Sequence, residues 1–328
     1  MNIAVVAGAR VQYALAMESA QVIADAMIER GHHVWVVVVE DEDWFLEQRE
    51  GRVPVDRSNF TFPHDGRRIR PDFVFLAVHD DFGKGPLQGE LDLLGIPYDS
   101  SGKAVSLICD DKAETKARLE GSGIELARGI VYQAHSPIPE SQVLESVGLP
   151  CFVKPNCGGS AIGTGRVSNP QELGPALQEA LRWNESVLVE SFVPGREVTC
   201  GVVGLHSKTV TLPLTEYLLD GNCKTWEGNQ GTVPKQTPAN LSEALVLQIE
   251  NAARKAYDIL GCRGLTRVDF RLDARHNLAP YFLEINTLPG LERRGAMITQ
   301  VLKAGLDVGE VFETLMHQSL AEKSSSQV

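Results

Sequence analysis

Two short runs of β-branched residues, Ile3 to Val6 and Val34 to Val39, stand on either side of a helical pattern that runs from about Ala16 to Arg30 and stops at Gly31. Short apolar strands joined through a helix form a parallel pair, because a parallel crossover needs a connection of helix length. The chain therefore opens as an α/β layer. A further apolar run, Phe73 to Val78, leads into a glycine-bearing loop, and Leu87 to Leu94 reads as a helix stopped by Gly95 and Pro97. Residues 1–101 are expected to form an open, mostly parallel, Rossmann-like domain.

After Ser100-Ser101-Gly102 comes a charged helical stretch, DDKAETKARLE from Asp110, and then a strand-helix-strand alternation to about Glu190. This is read as a second domain, 102–190. From Arg196 the runs EVTCGVVG, TVTLPL, LTRVDFRLD and PYFLEIN read as strands, with a polar loop from Asp220 to Asn240 and a long helix from about Leu241 to Leu260. They define a third domain, 191–320, and AEKSSSQV at 321–328 has the composition of a disordered tail. A length of 328 residues accommodates these domains.

The charge balance narrows the function. With 31 basic and 43 acidic residues the net charge is −12, so no basic excess exists to neutralise nucleic-acid phosphates broadly. No apolar run approaches the roughly 20 residues that cross a bilayer; HVWVVVV, His33 to Val39, has the length of a strand. MNIAVVAGA carries no basic segment ahead of its apolar run and reads as a first strand, so a cytoplasmic protein is expected. Six cysteines, Cys109, Cys151, Cys157, Cys200, Cys223 and Cys262, are scattered without CxxC pairs, and neither zinc nor a disulfide framework is expected. Small molecules are the expected partners, with no nucleic acid and no membrane.

Three clusters carry chemistry. CFVKPNCGGSAIGTGRV, from Cys151, places Lys154 at a strand end before a glycine-rich turn. Such a loop folds over polyphosphate through its amides and its lysine, although glycine-rich hairpins without ligands share the pattern. Glu190 and Glu197 flank SFVPGR at strand ends, where carboxylates can accept ribose hydroxyls or an adenine amino group, or simply face water. Asp269 lies in the apolar LTRVDFRL, and Glu284 and Asn286 share one face of YFLEIN. Burying three oxygen-bearing side chains in neighbouring strands calls for a counter-charge, which magnesium bridging ATP phosphates supplies. Arg267, on the face of Asp269, is placed to stabilise a phosphoryl group or an oxyanion.

This ordered set, with QGELDLLGIPY, RVDF and LEINTLPG, resembles an ATP-grasp ligase, and more narrowly the D-alanine:D-alanine ligase family. The resemblance runs from about His79 through Leu306. It implies three α/β domains, ATP and two magnesium ions (manganese substituting) between the second and third, and a homodimer formed through the first. By the same resemblance Lys112 and Lys154 contact the phosphates, Gly159 and Ser160 cover them, Glu190, Ser191 and Val193 meet the adenine side, and Glu197 holds the ribose. Asp269, Glu284 and Asn286 bind the metal, and Arg267, the amide of Gly290, Ser160 and Lys224 form the catalytic set. The implied chemistry is phosphorylation of a carboxylate, then displacement of phosphate by an amine.

The departures from the family pattern fall in the amino-acid pocket. Ala14 stands where the family has a glutamate, with Glu18 near enough to replace it. The HGxxGEDG pattern becomes His79-Asp80-Asp81-Phe82-Gly83-Lys84-Gly85, and YDYxxKY becomes LDGNCKT from Leu219, with Thr225 in place of tyrosine. Gly295 and Ala296 replace a serine and leucine that contact the second substrate's carboxylate, and Arg293 or Arg294 is expected to supply the lost contact. His79, Glu18, Arg293, Arg294 and Gly295 are therefore the expected substrate residues. A substrate pair other than two D-alanines is expected. A D-alanine:D-alanine ligase with a divergent pocket and a non-catalytic nucleotide-binding homologue are the alternatives.

Overall fold

The computed structural model describes all residues except 9–11, 41–42, 49–50, 80, 207, 220–232 and 326–328. The chain begins β1 (Asn2–Gly8), α1 (Tyr13–Glu29), β2 (His33–Glu40), β3 (Asp43–Gln48), β4 (Gly51–Pro54), β5 (Phe62–His64), β6 (Arg67–Ile69), β7 (Phe73–Val78) and α2 (Pro86–Leu94). Its sheet has the order β4-β3-β2-β1-β7, with β1 parallel to both β2 and β7. Ile3, Val5, Phe73 and Phe75 pack on the α1 side, while Ala4, Val6, Val74 and Leu76 pack with Leu87 and Leu91 of α2. Burial of both faces is why these strands read as continuous apolar runs. The antiparallel extension β3–β4 and the hairpin β5–β6 escaped the sequence reading. They are short, and β4 and β6 are largely polar, so no period-two pattern stands out.

Next come α3 (Lys103–Asp110), α4 (Lys112–Leu119), β8 (Glu125–Leu126), β9 (Gly129–Gln133), α5 (Glu140–Val147), β10 (Cys151–Pro155), β11 (Gly165–Val167), α6 (Leu173–Leu181) and β12 (Ser186–Ser191). The strands from β9 to β12 make an antiparallel sheet, β11-β10-β12-β9, whose core joins Val153, Val187 and Val189 to Val143 and Leu177. The remaining elements are β13 (Gly195–Leu205), β14 (Lys208–Thr211), β15 (Thr215–Tyr217), β16 (Lys235–Gln236), α7 (Glu243–Leu260), β17 (Leu265–Asp273), β18 (Ala279–Asn286), α8 (Ala296–Lys303) and α9 (Val308–Ser325). Their sheet runs β16-β15-β13-β17-β18-β8, with β14 paired to β13.

Packing divides the chain differently from the sequence boundaries at 102 and 191. Cys109, Leu119 and Ile124 share a core with Ile249 and Ala253 of α7 and with Val268 and Phe270 of β17, and β8 pairs with β18. The segment from α3 to β8 thus packs with the last sheet, because that is where its apolar face finds cover. In the same way Phe312 and Met316 of α9 enter the core of the first sheet beside Phe73 and Phe75. The tail also differs from expectation: α9 runs through Ser325, and Glu322 forms an ion pair with Arg263, so 321–325 are helical. Among the described residues no helix is long and apolar enough to cross a membrane.

Two local features fix how the sheets present their polar residues and how they join. On β17 and β18 the antiparallel register sets Asp269 opposite Glu284 and Arg267 opposite Asn286, and a bulge leaves Leu283 unpaired. The extra residue lets Phe282 and Ile285, three apart, both reach the apolar core while Glu284 and Asn286 share the other face. At the seam between the first sheet and the rest, Asp99 accepts the Leu76 N–H at 3.0 Å. A Cβ on Gly264, whose φ is +69°, would lie 2.1 Å from the Asp99 carbonyl oxygen, so only glycine fits this crossing.

Burial pushes the Asp99 carboxyl up to about 7, whereas in an unfolded chain it ionises near ~3.9. Between those values the folded state keeps a proton the unfolded state has released. Its contribution to stability therefore declines as pH rises from about 4 to about 7 and is level above. Asp99→Asn keeps an acceptor for Leu76 and removes the decline. Its thermal midpoint relative to wild type is expected to rise by about 5 °C between about pH 4.5 and about pH 7.5, read by differential scanning fluorimetry.

Candidate active site

A cavity of about 620 Å³ lies where the three sheets meet. One wall is the loop after β10, in which Ser160 and Ala161 both adopt φ of +59°. Left-handed backbone at a non-glycine residue costs about 1 kcal/mol or more, so the surroundings must impose it. The ties are specific: Lys112 Nζ donates to the Gly158 carbonyl at 2.6 Å, and Gly158 N–H donates to Asp110 at 3.2 Å. The Asn156 carbonyl accepts from Lys112 N–H at 3.0 Å, while its side-chain oxygen accepts from Ala113 N–H at 2.9 Å. The loop is thereby bound to the start of α4.

Under the loop, Glu190 on β12 is 4% exposed and bridges the ammonium groups of Lys154 and Lys116. Burial and the charges of Lys154 and Lys112 pull the Lys116 pKa well below the ordinary lysine range, with Glu284 opposing. Three lysines around one carboxylate give this wall an excess of positive charge once an anion is bound, which suits polyphosphate.

On the opposite wall Arg267 forks onto Asp269, with Nε and Nη2 donating at 3.0 and 2.9 Å, and Nη2 lies 3.9 Å from Glu284. Asp269 is 4% exposed, and the guanidinium is the counter-charge its burial requires. Asn286 turns its side-chain oxygen back to Leu288 N–H at 3.0 Å. Glu197 faces Arg271 Nη1 at 3.4 Å. Among the described residues no group of three His, Cys, Asp or Glu is close enough to hold a metal by itself. Two carboxylates and one amide are hard-oxygen donors that fit magnesium only with further oxygens from a ligand.

This geometry agrees with the comparisons. Residues 126–318 match the family model described as the D-Ala D-Ala ligase C-terminus. A D-alanine–D-alanine ligase of Bacteroides fragilis is 32% identical over 319 residues, covering 96% of this chain and 98% of its own. That of Porphyromonas gingivalis is 33% identical over 327 residues, 98% of each chain. The chain belongs to the D-alanine–D-alanine ligase family. It is an ATP-dependent ligase that forms C–N bonds. Its ATP-grasp fold is shared with D-alanyl-alanine synthetase A of Vibrio cholerae, with a TM-score of 0.86 at 24% identity over 98% of both chains. It is also shared with the VanG D-Ala:D-Ser ligase of Enterococcus faecalis, with a TM-score of 0.81 at 23% identity, covering 96% of this chain and 98% of that one.

In this ligase most of the expected residues converge on the cavity: Lys112, Lys154, Gly159, Ser160 and Glu190 on the loop side, and Glu197, Arg267, Asp269, Glu284, Asn286 and Gly290 on the other. Ser191 and Val193 also line it, but the Ser191 hydroxyl is taken by the Val147 carbonyl at 2.7 Å and the Val193 carbonyl accepts from Arg271 at 3.3 Å. Glu190, expected on the adenine side, lines the cavity and bridges the two lysines. Lys224 and Thr225 lie outside the described residues. His79, Glu18, Arg294 and Gly295 line the cavity. Burial, with a smaller contribution from the Arg267 charge, brings His79 down to about 4 against an opposing backbone bond with Leu288, so its imidazole is neutral at physiological pH. Arg293 departs from expectation: its guanidinium pairs with Asp25 of α1, is 65% exposed and does not line the cavity. Its backbone N–H donates to Glu18 at 3.2 Å.

Two cavity residues of the ligase, Gln12 and Glu292, and Lys116, buried beside Glu190, escaped the sequence reading. Lys116 is one helical turn beyond Lys112, a spacing that puts both on one face, and that signal was available. Gln12 donates to the Ser160 hydroxyl, giving that residue a partner from the first domain. Glu292, in the loop after β18, lines the cavity.

Lys116→Ala leaves Glu190 to Lys154 alone and reduces the positive excess. The ATP dissociation constant is expected to rise about tenfold, equivalent to about 1.4 kcal/mol, measured by titration of a fluorescent ATP analogue. Gln12→Ala removes one hydrogen bond at the amino-acid end. It should raise the amino-acid Michaelis constant about three- to tenfold, with ATP affinity within about twofold, in steady-state phosphate-release assays.

Proposed function

We propose that the enzyme phosphorylates a carboxylate with ATP and lets an amine displace the phosphate, joining a substrate pair other than two D-alanines. The observation that carries the second half is the amino-acid end of the cavity. Gly295 lines the cavity where the resemblance calls for a carboxylate-binding serine, and Ser160 bonds to Gln12. The reading that two D-alanines are joined rests on the full-length identity of 32–33% to relatives called D-alanine–D-alanine ligases.

In the proposed mechanism the polyphosphate lies under the loop carrying Ser160, against Lys112, Lys116 and Lys154. Asp269, Glu284 and Asn286 would hold magnesium, which supplies positive charge to the phosphates when bound. Arg267 supports the charge on the transferred phosphoryl group and, with the Gly290 amide, the oxyanion formed when the amine attacks the acyl phosphate. That attack breaks the C–O bond to phosphate, forms the C–N bond, and sends the amine proton to solvent or a nearby carboxylate. Neutral His79 stands beside the reacting groups without adding charge. We assign the chain to the cytoplasm and, through its first domain, to a homodimer.

The test is magnesium-dependent phosphate release from ATP over single and paired amino acids, with mass spectrometry of the products. Turnover with a pair other than two D-alanines, and turnover at least about tenfold slower with D-alanine alone, is the expected result. Efficient dialanine formation overturns the substrate proposal and leaves the ligase chemistry standing.

A further inference from the structure

The loop after β10 is held at Gly158 from two sides. The Gly158 N–H donates to Asp110 Oδ1 at 3.2 Å and Oδ2 at 3.3 Å, and its carbonyl accepts from Lys112 Nζ at 2.6 Å. Lys112 is also an ammonium placed against polyphosphate in the proposed mechanism. Drawn to phosphate, it leaves that carbonyl, and the hold at Gly158 passes to Asp110.

Asp110 stands in an unfavourable place for a carboxylate. It is the last residue of α3, where the helix dipole opposes negative charge, and it lines the same cavity as the phosphate-side lysines. Lys84 Nζ, 2.9 Å from Asp110 Oδ1, offsets that charge, and the two side chains are only 22% and 16% exposed. A pair so covered is screened less than one in open solvent. Lys84 belongs to the first domain, in the connection between β7 and α2, and its surroundings are fixed by close packing. Buried Gln88 of α2 donates to the Gly83 carbonyl at 2.7 Å. A Cβ on Gly85 would lie 2.8 Å from the Leu107 side chain and one on Gly89 2.8 Å from that of Lys103, so α2 lies close on α3. His79, which lines the cavity, comes shortly before Lys84 on the same connection.

We propose that Lys84 is a positioning residue for the ATP reaction: through Asp110 it sets the loop at Gly158 over the polyphosphate, and so couples the first domain to nucleotide binding. Its ammonium neutralises the acid and holds it toward the Gly158 amide, and does not itself meet phosphate. The inference rests on the proposed place of polyphosphate under this loop, and not on which substrates are joined.

The experiment compares wild type with Lys84→Met, Lys84→Arg, Asp110→Asn and the double variant of Lys84→Met with Asp110→Asn. Hydrogen–deuterium exchange of the peptide spanning 156–164 is followed in the full chain without ligand, and the dissociation constant of a fluorescent ATP analogue with magnesium is measured by titration. Exchange elsewhere in the chain reports that each variant is folded. Lys84→Met is expected to speed loop exchange and to raise the analogue's dissociation constant, each by about three- to tenfold. Lys84→Arg, which keeps the charge, should stay within about twofold of wild type. In the Asp110→Asn background Lys84→Met should change neither reading by more than about twofold, because the residue it acts through is gone. Loop exchange unmoved by Lys84→Met, or an arginine variant as impaired as the methionine one, overturns the proposal. So does an affinity loss of the same size in both backgrounds, which a lysine in direct contact with phosphate gives. Faster loop exchange that depends on Asp110, with nucleotide affinity unmoved, supports the tie and refutes the place of polyphosphate under the loop alone.

Discussion

The active cavity depends on the pairing of β17 with β18. Their register sets Arg267, Asp269, Glu284 and Asn286 on one face, and Val268, Phe270, Phe282 and Ile285 on the other are buried against α7. The apolar face holds the polar one: a strand anchored by several fully buried side chains cannot slip without exposing all of them. Asp269 is thus kept in an environment it would not choose, and Arg267 is the group that makes it tolerable. Any cation that enters with a ligand finds carboxylates already aimed and must share them with that guanidinium.

The rest of the molecule is assembled around this sheet by two kinds of contact. The first domain is attached through apolar packing, in which Phe312 and Met316 join Phe73 and Phe75, supplemented by the Ser19 hydroxyl accepting Leu291 N–H at 3.0 Å. Exposed pairs such as Arg30 with Asp307 and Glu313 add little to that. The middle sheet has a core of its own, and its loop is tied to α4 and to Gln12 by polar contacts. Polar contacts exchange with water at small net cost, whereas apolar surface does not. Opening the cavity at the middle sheet therefore exposes the least apolar surface, and the strained backbone at Ser160 and Ala161 lies on that side.

What the sequence disclosed obeys the same physics. The parallel first sheet, the loop after Lys154 and the acids of LTRVDF and LEIN were legible because each breaks or obeys a short-range rule, such as a carboxylate inside an apolar strand. Lys116 had only its spacing one turn beyond Lys112 to mark it, and in KAETKARLE that does not separate it from a solvated helical lysine until β12 brings Glu190 against it. Gln12 sits in an aperiodic segment with nothing local to mark it. Arg293 and Arg294 are indistinguishable as neighbours in sequence, and it takes Asp25, on another element, to draw one of them away from the cavity. The packing of α3 and α4 was hidden for a related reason: they follow the first domain in the chain but bury their apolar faces against the last sheet and α7.

The amino-acid end carries a coherent set of changes. Independent losses in a cavity tend to leave neutral gaps, because removing a hydroxyl or an aromatic ring costs only the contacts it made. A carboxylate at the cavity wall is different, since it carries a desolvation cost in proportion to its burial. Glu292 is partly buried there, with Gly290 and Gly295 against its carboxylate, and Arg267 and Lys235 offset its charge. His79 close by is neutral and Arg294 lines the same cavity, so the amino-acid end mixes both signs of charge where the family pattern has hydroxyls.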